Sequence, residues 1–406
     1  MSERKSVLLS TYINTVNGEV YALFGPVGNM TGFLCRRFDD VYMVSQPMPG
    51  EDDLTPTLTL YQAGRAVWTK HLPAILRIFY WVDPKKVSAS RTVVRLKVRD
   101  FVANVYFTLF CLRGRLSLFI GVESINALSA VPFRLFNRVR TVLYFSNDYH
   151  PRRYARLMNW LFLKLDEVAA RHADYIWMMN PRIHESRLER GLDPKTLAPH
   201  FIIHGGLPFF PGGPAESSER HKHRIVYATR AGHQGLRIVL EALATVAARY
   251  PDAELHVTGH ADRDSGSVAS LIEQLKIPRN VKFTGFLKED DLNRLVRSSW
   301  IGLAVWASDH TSAAYGDPEK IRRYFHFGLP VVATDNAFTS DTIRRHGAGI
   351  VITDDPSALS SAILRLFDDE PGYSRCAQAS AALGKAYKEH NPLDGSIDDL
   401  LKRKLL

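Results

Sequence analysis

The stretch from Ile301 to Asp335, IGLAVWASDHTSAAYGDPEKIRRYFHFGLPVVATD, constrains this 406-residue chain more than any other. Its apolar run, Ile301 to Trp306, reads as a strand buried on both faces, the mark of a parallel sheet. A polar loop leads to Asp317-Pro318 and a helical pattern from Glu319 to Phe327. Gly328 stops that helix, and Pro330 to Thr334 reads as the next strand. Asp317 suits an N-cap, and Pro318 fits the first helical position, where a missing N–H costs nothing. The helix start then points free N–H groups out of the carboxyl edge of the sheet, with Lys320 in its first turn. A phosphate or pyrophosphate binds to that combination. An ordinary βαβ unit with a solvated lysine has the same local sequence.

Either side of this stretch, strand and helix patterns alternate. Ser6 to Thr11, Asp40 to Ser45, Thr57 to Gln62, Ser117 to Val122, Thr141 to Ser146, Asp174 to Met179 and Phe201 to His204 read as strands of a first α/β region. Polar residues and Gly18 follow the first strand, with helical patterning over 20–38. Helices are expected over 71–82, 94–112, 125–137, 152–172 and 181–190. Residues 205–214, rich in Pro and Gly, give the strongest linker signal in the chain. A second series follows: strands over 224–228, 254–258 and 281–284, and helices over 236–250, 289–298 and 357–367. Strands alternating with helices predict doubly wound parallel sheets. The division expected is residues 1–206, a linker over 207–223, a second domain over 224–372, and a helical tail over 373–406.

Composition excludes several classes. Apolar residues make up 46% and charged residues 23%, as in globular proteins. Cys35, Cys111 and Cys376 are odd in number and far apart, which suits neither a disulfide framework nor a zinc site and fits a reducing compartment. No run reaches 18 apolar residues, so no bilayer span is expected, and MSERKSVLLSTY is too weakly apolar for a signal peptide. The net charge of +10 comes from the first half, where residues 1–200 hold 27 Lys/Arg against 17 Asp/Glu. From Leu54 to Ser117, eleven basic residues face only Asp83 and Asp100, among Trp68, Phe79, Tyr80, Trp81, Phe101 and Phe110. That mixture suits an anionic lipid surface. A nucleic-acid groove or a buried helix with a basic solvent face has the same composition.

Lys320, Tyr324 and Phe327-Gly328-Leu329-Pro330-Val331-Val332 together resemble the nucleotide-binding helix of GT-B glycosyltransferases, where Asp-Pro-x-Lys is followed by Tyr and then Gly-x-Pro-Val-Val. The pattern is most similar to family 70, the membrane-associated glucuronosyltransferase of xanthan assembly. The resemblance implies an α/β, GT-B fold: two Rossmann-like, doubly wound domains facing a cleft, with the tail over 373–406 crossing back to the first domain. It makes Lys320 a pyrophosphate ligand, with backbone donors beside Glu319. Arg230, Gly232 and Gln234 occupy the place of a Gly-Arg-x-x-x-Lys-Gly loop, with Gln234 in the lysine position. Phe286, after Gly285, matches a base-gripping turn. Trp306 would stack on the base or line the sugar pocket, or else pack in the core. The Glu-x7-Glu pair of retaining family 4 enzymes is Tyr315 and Arg323 here, leaving Arg323 to donate to ribose or to an acidic sugar, or to solvent.

An inverting transfer needs a general base for the acceptor hydroxyl. Asp148, after the strand ending at Ser146, is the first candidate; His150 and Glu123 are alternates. Asp148 and Glu123 also suit plain helix capping. In a retaining transfer the leaving phosphate takes the proton and Asp148 would hold the acceptor. The expected protein is a cytoplasmic enzyme, peripheral on the inner membrane, without metal or other cofactor. It would move sugar from a nucleoside diphosphate donor, a UDP-sugar such as UDP-glucuronic acid, to a lipid-linked saccharide of surface polysaccharide. Its partners would be the nucleotide sugar, that acceptor and an anionic membrane, with no nucleic acid. A soluble family 4-like transferase with a small or protein-bound acceptor, or a non-catalytic nucleotide-sugar binder, is the alternative.

Overall fold

The computed structural model describes residues 5–16, 19–22, 30–48, 51, 53–79, 90–112, 114–147, 149–203, 210–229, 235–259, 266–308 and 311–406. Gly18, Asp148, Arg230, Gly232 and Gln234 lie outside the described residues. The chain divides into two compact units, Met1–Leu207 with Pro392–Leu406, and Pro208–Asn391.

In the first unit the described strands are β1 (Ser6–Val16), β2 (Glu19–Ala22), β3 (Asp40–Pro47), β4 (Thr57–Gln62), β5 (Arg65–His71), β6 (Leu116–Val122), β7 (Val139–Ser146), β8 (Tyr175–Met178) and β9 (His200–Ile202). They form one sheet in the order β5-β4-β3-β1-β6-β7-β8-β9, with β2 antiparallel beside β1. From β3 to β9 neighbouring strands are parallel, while β4 and β5 run antiparallel. The helices are α1 (Met30–Cys35), α2 (Ser90–Tyr106), α3 (Ser124–Ala130), α4 (Arg156–His172) and α5 (Arg182–Glu189). Val7, Leu8, Leu118, Phe119, Ile120, Val142 and Leu143 are fully buried, which explains why these strands read as unbroken apolar runs. The order reverses between β1 and β6, the switch point at which such sheets bind ligands.

Two expectations for this unit are corrected. The helix expected over 71–82 is not found in its described part: His71 ends the edge strand β5, Ala74–Phe79 form a short 3₁₀ turn, and residues 80–82 lie outside the described residues. The reason is a two-residue hairpin at Ala63 (φ 47°) and Gly64 (φ 78°), whose backbone twist matches that of the flanking strands. The helix expected over 125–137 stops at Ala130 and continues only as a 3₁₀ turn, Val131–Arg134, because Pro132 offers no N–H.

The second unit is a six-stranded parallel sheet. Its strands are β10 (Arg224–Thr229), β11 (Glu254–Gly259), β12 (Val281–Gly285), β13 (Ile301–Ala304), β14 (Val331–Thr334) and β15 (Gly349–Ile352), in the order β12-β11-β10-β13-β14-β15. The helices are α6 (Leu236–Arg249), α7 (Gly266–Gln274), α8 (Glu289–Ser298), α9 (Glu319–His326), α10 (Phe338–His346), α11 (Pro356–Asp368) and α12 (Glu370–Glu389). This is the doubly wound order, with its switch point between β10 and β13.

The last helix, α13 (Pro392–Lys402), is part of the first unit. Asp394 pairs with Arg37, the Trp177 indole N–H donates to Ser396, and the Tyr175 hydroxyl donates to Asp399.

At Gly121 on β6, helix α3 comes close against the sheet of the first unit. A Cβ there would lie 2.2 Å from the Ala127 backbone nitrogen of α3, and backbone cannot step aside as a side chain can. Gly121→Ala is expected to destabilise the protein by roughly 3 kcal/mol. The shift of the urea-unfolding midpoint measures it, and an unchanged midpoint would refute this packing.

Candidate functional site

At the switch point of the second unit, two strand ends and two helix starts are tied together. The Tyr324 ring of α9 lies against Gly302 of β13, where a Cβ would come within 2.6 Å of it. Its hydroxyl donates to the Leu303 carbonyl at 3.3 Å and accepts from the Ala228 N–H of β10 at 3.2 Å. The Tyr227 hydroxyl donates to the Val305 carbonyl at 3.0 Å. Gly235, which opens α6, abuts the same carbonyl so closely that a Cβ would sit 2.6 Å from its oxygen. Residues after β13 are held in turn: the Trp306 N–H donates to Thr334 Oγ1 at 3.0 Å, and Asn336 Nδ2 donates to the carbonyls of Trp306 and Ala307.

Lys320 stands in this frame. Its Nζ lies 4.8 Å from the centre of the Trp306 ring and 5.1 Å from that of Tyr227. Among the described residues no carboxylate or other acceptor bonds to it. The residue is half-buried, with its ammonium against these two ring faces. Desolvation lowers its pKa to about 7. Two ring faces return about 0.5–2 kcal/mol each, too little to replace a hydration shell. Among the described residues this cation therefore has no anion beside it, in the first turn of a helix.

That helix start differs from expectation. Asp317 does not cap it; its carboxylate accepts from Arg322 Nε at 3.2 Å and from Nη2, both residues being buried. Pro318 takes the cap position, no side chain caps the helix, and the Ile321 N–H turns back to the Pro318 carbonyl. The N–H groups of Glu319 and Lys320 are among the orphan donors of any helix start.

Arg323 is corrected more sharply. It is 3% exposed, and its guanidinium donates to Glu289 at 2.8 Å, to Glu319 at 2.7 Å and to Asn293, while stacking 4.2 Å from the Phe210 ring. Two carboxylates already neutralise it, so it has no reason to meet a ribose. Glu319 is tied up in the same ion pair and can offer a ligand only its backbone. Trp306 is a core residue, 4% exposed, with one face toward Lys320. Phe286 follows Gly285 (φ 65°) just beyond β12 and is half-buried.

The switch point of the first unit carries a second cluster. Glu123, directly after β6, adopts φ 67°, an uncommon backbone state for a non-glycine residue. It does not cap α3 with its side chain. Its carboxylate accepts from Lys97 of α2 at 2.8 Å and lies 3.7 Å from Arg153, and Lys97 also donates to the Tyr12 hydroxyl of β1 at 2.5 Å. Burial alone would raise the Glu123 pKa, but Lys97 and Arg153 hold it below the usual carboxylate range. Glu123 is therefore an ionised anchor rather than a group ready to take a proton at neutral pH.

Three buried atoms on or just after β1, β3 and β7 have no hydrogen-bond partner among the described residues: Thr11 Oγ1, Gln46 Oε1 and Asn147 Oδ1. The segment after β7 is clamped on both sides of position 148. The fully buried Arg187–Asp166 pair (2.6 Å) presents Arg187 Nη2 to Ser146 Oγ at 2.8 Å, and the Tyr149 hydroxyl meets Ser186 Oγ at 3.1 Å. His150 is 8% exposed, and its Nδ1 accepts the Arg152 N–H at 3.2 Å. Lys97, Arg153 and Tyr12 are absent from the sequence-based site, because nothing local marks a helical lysine as the partner of a glutamate 26 residues on. Among the described residues, no group of three or more His, Cys, Asp or Glu could hold a metal ion.

Residues 222–369 match the family model of glycosyl transferases group 1. No curated protein sequence matches the chain. Among solved structures, sucrose-phosphate synthase from Thermosynechococcus elongatus is similar over 99% of this chain and all of its own, at 13% identity and a TM-score of 0.69. HepE from Anabaena, in complex with UDP and glucose, is similar over 99% of this chain and all of its own, at 13% identity and a TM-score of 0.63. The fold is GT-B. A putative UDP-N-acetylglucosamine 2-epimerase from Listeria monocytogenes is also similar, at 12% identity over 95% of this chain and 94% of its own, with a TM-score of 0.55. A GT-B fold therefore houses epimerases as well as synthases, and the reaction has to be argued from the site.

The cost of the unpaired lysine is measurable. Its folded pKa, about 7, lies below the unfolded value of 10.5, so the penalty is full below pH 7 and fades as pH rises to 10.5. At 1.36 kcal/mol per unit the ceiling is about 5 kcal/mol, and partial exposure reduces it. Lys320→Met is expected to stabilise the ligand-free protein by about 1–3 kcal/mol at pH 6–7, the gain vanishing above roughly pH 10.5. Urea unfolding against pH checks this; a destabilised variant at pH 7 would contradict it.

Proposed function

We propose that the protein is a glycosyltransferase that takes its sugar from a nucleoside diphosphate donor. The observation that carries this is Lys320: a desolvated cation with no ionic partner among the described residues, in the first turn of a helix that no side chain caps, at the switch point of a sheet within the span matched by the group 1 model. A diphosphate leaving group supplies the charge that this site lacks, and a preorganised cation stabilises it most as the glycosidic bond breaks. The donor is a UDP-sugar, as supported by the UDP named in the HepE complex. UDP-glucuronic acid is the specific candidate from the family 70 resemblance. Arg230, Gly232, Gln234 and Phe286 complete the donor side in this reading.

The acceptor is a lipid-linked saccharide of surface polysaccharide, met at the cytoplasmic face of the inner membrane. Exposed Ile75, Ile78, Phe79, Phe101 and Phe110 within the basic stretch support this. In an inverting reaction Asp148 takes the acceptor hydroxyl proton as its oxygen attacks the anomeric carbon and the C1–O bond to the diphosphate breaks. In a retaining reaction the leaving phosphate takes that proton and Asp148 holds the acceptor. Glu123 fits an acceptor-orienting role better than that of a base, since Lys97 and Arg153 hold it ionised. No metal enters either scheme.

UDP release from a panel of UDP-sugars, with water or a lipid-linked saccharide as acceptor, tests the proposal. Lys320→Ala is expected to lower kcat/KM by about 100-fold or more. Asp148→Ala should abolish transfer while leaving UDP binding in place. Full activity of Lys320→Ala would overturn the reading. UDP binding without turnover of any sugar would favour a nucleotide-sugar binder.

A further inference from the structure

Helices α2 and α4 are amphipathic the wrong way round for a protein that meets only water. The inward side of α2 buries Arg99, Asp100 and Asn104 with Leu96 and Ala103, whereas Val94, Val98 and Phe101, at i, i+4 and i+7, are each about 40% exposed. Helix α4 buries Asp166 with Ala169 and Ala170. Its exposed side carries Leu157 (76%), Trp160 (57%), Leu161 (40%) and Val168 (41%), a stripe at i, i+3, i+4 and i+11. Both helices pack on the short α3 between them, and the 74–79 turn, with Ile75 and Ile78 each 81% exposed, packs on α2. The apolar exposure therefore belongs to neighbouring elements of one unit and is not scattered.

Charge decides what covers it. Arg77, Arg95, Arg152, Arg156 and Lys164 are exposed on or beside the same elements. The carboxylates within the two helices are either buried, Asp100 and Asp166, or, for Glu167, paired with Lys164 (2.9 Å) and Arg171 (3.0 Å). A two-fold contact with a second copy would set arginines against arginines. Anionic lipid headgroups accept the arginines while the acyl boundary accepts Trp160 and Leu157.

We infer that the outward faces of α2 and α4 form a docking surface that inserts shallowly into an anionic bilayer, Trp160 and Leu157 entering the acyl boundary. This deepens the lipid-linked acceptor reading above by naming the surface that would meet the lipid, and it rests on that reading for its purpose only. With the full chain, vesicles of phosphatidylglycerol and phosphatidylcholine should bind the protein and shift its tryptophan emission to the blue. Trp160→Phe should remove the shift and keep the binding. The double variant Leu157→Glu/Trp160→Glu should bind at least about tenfold more weakly, with UDP binding and thermal unfolding unchanged, since both side chains are exposed. Equal vesicle binding by the double variant, no vesicle binding by the wild type, or a wild-type dimer that the double variant converts to monomer would overturn the inference. Failed docking with UDP-sugar hydrolysis into water intact refutes this surface alone. Lost hydrolysis with docking intact refutes the transferase reading alone.

Discussion

The second unit is built to keep one ammonium group out of water, with no counter-ion for it among the described residues. Tyr324 fastens α9 to β10 and β13, Tyr227 fastens β10 to the residue after β13, and Gly235 lets α6 begin against the same carbonyl. The Tyr227 ring, together with that of Trp306, also lies against the Lys320 ammonium. A buried lysine in a purely structural role would have a carboxylate beside it, as Arg323 has Glu289 and Glu319 one turn along the same helix. The contrast between these two cations on α9 separates what the fold needs for itself from what it holds ready for a ligand. Stability is lost at Lys320 and recovered when an anion arrives, the usual exchange at a preorganised site.

The first unit solves a related problem in the opposite way. At its switch point a carboxylate, Glu123, is held ionised by Lys97 and Arg153, and its backbone is kept in a conformation that costs about 1–3 kcal/mol. Strands β1 and β3 and the residue after β7 carry Thr11, Gln46 and Asn147 oxygens that are buried without partners among the described residues. Two of these are amide oxygens, which accept hydrogen bonds, and a polyhydroxyl ligand brings donors. The Arg187–Asp166 pair, below the loop after β7, fixes the ends of the segment that contains position 148. Each sheet therefore presents polar chemistry at the point where its strand order reverses.

The architecture was largely legible because parallel strands buried on both faces leave apolar runs, and Ile301 to Ala304, Val331 to Thr334 and Leu116 to Val122 stand out in the sequence. The Ala63-Gly64 hairpin was missed since only one of its two positive-φ residues is a glycine. Strand β15, Gly349–Ile352, was missed because it lies at the sheet edge, opens on a glycine and is only half-buried over its first three residues. Lys320 was legible from the helix-start motif. Its isolation was not, and neither was the saturation of Arg323, whose partner Glu289 lies 34 residues earlier. Contacts that decide whether a charge is free are long-range, and one-dimensional pattern does not encode them. The outward apolar stripe of α4 was written at helical spacing, but such a stripe reads as core until burial shows which side faces out.

Proton uptake on nucleotide binding tests the central claim most directly. At pH 8, about one unit above its folded pKa, Lys320 is roughly nine-tenths neutral, and a bound diphosphate would return it to the ammonium form. Titration calorimetry of UDP in two buffers of different ionisation enthalpy should report uptake of about 0.9 proton by the wild type and none by Lys320→Met. Binding without proton uptake in the wild type, or equal uptake in both proteins, would contradict the claim that this lysine awaits the diphosphate.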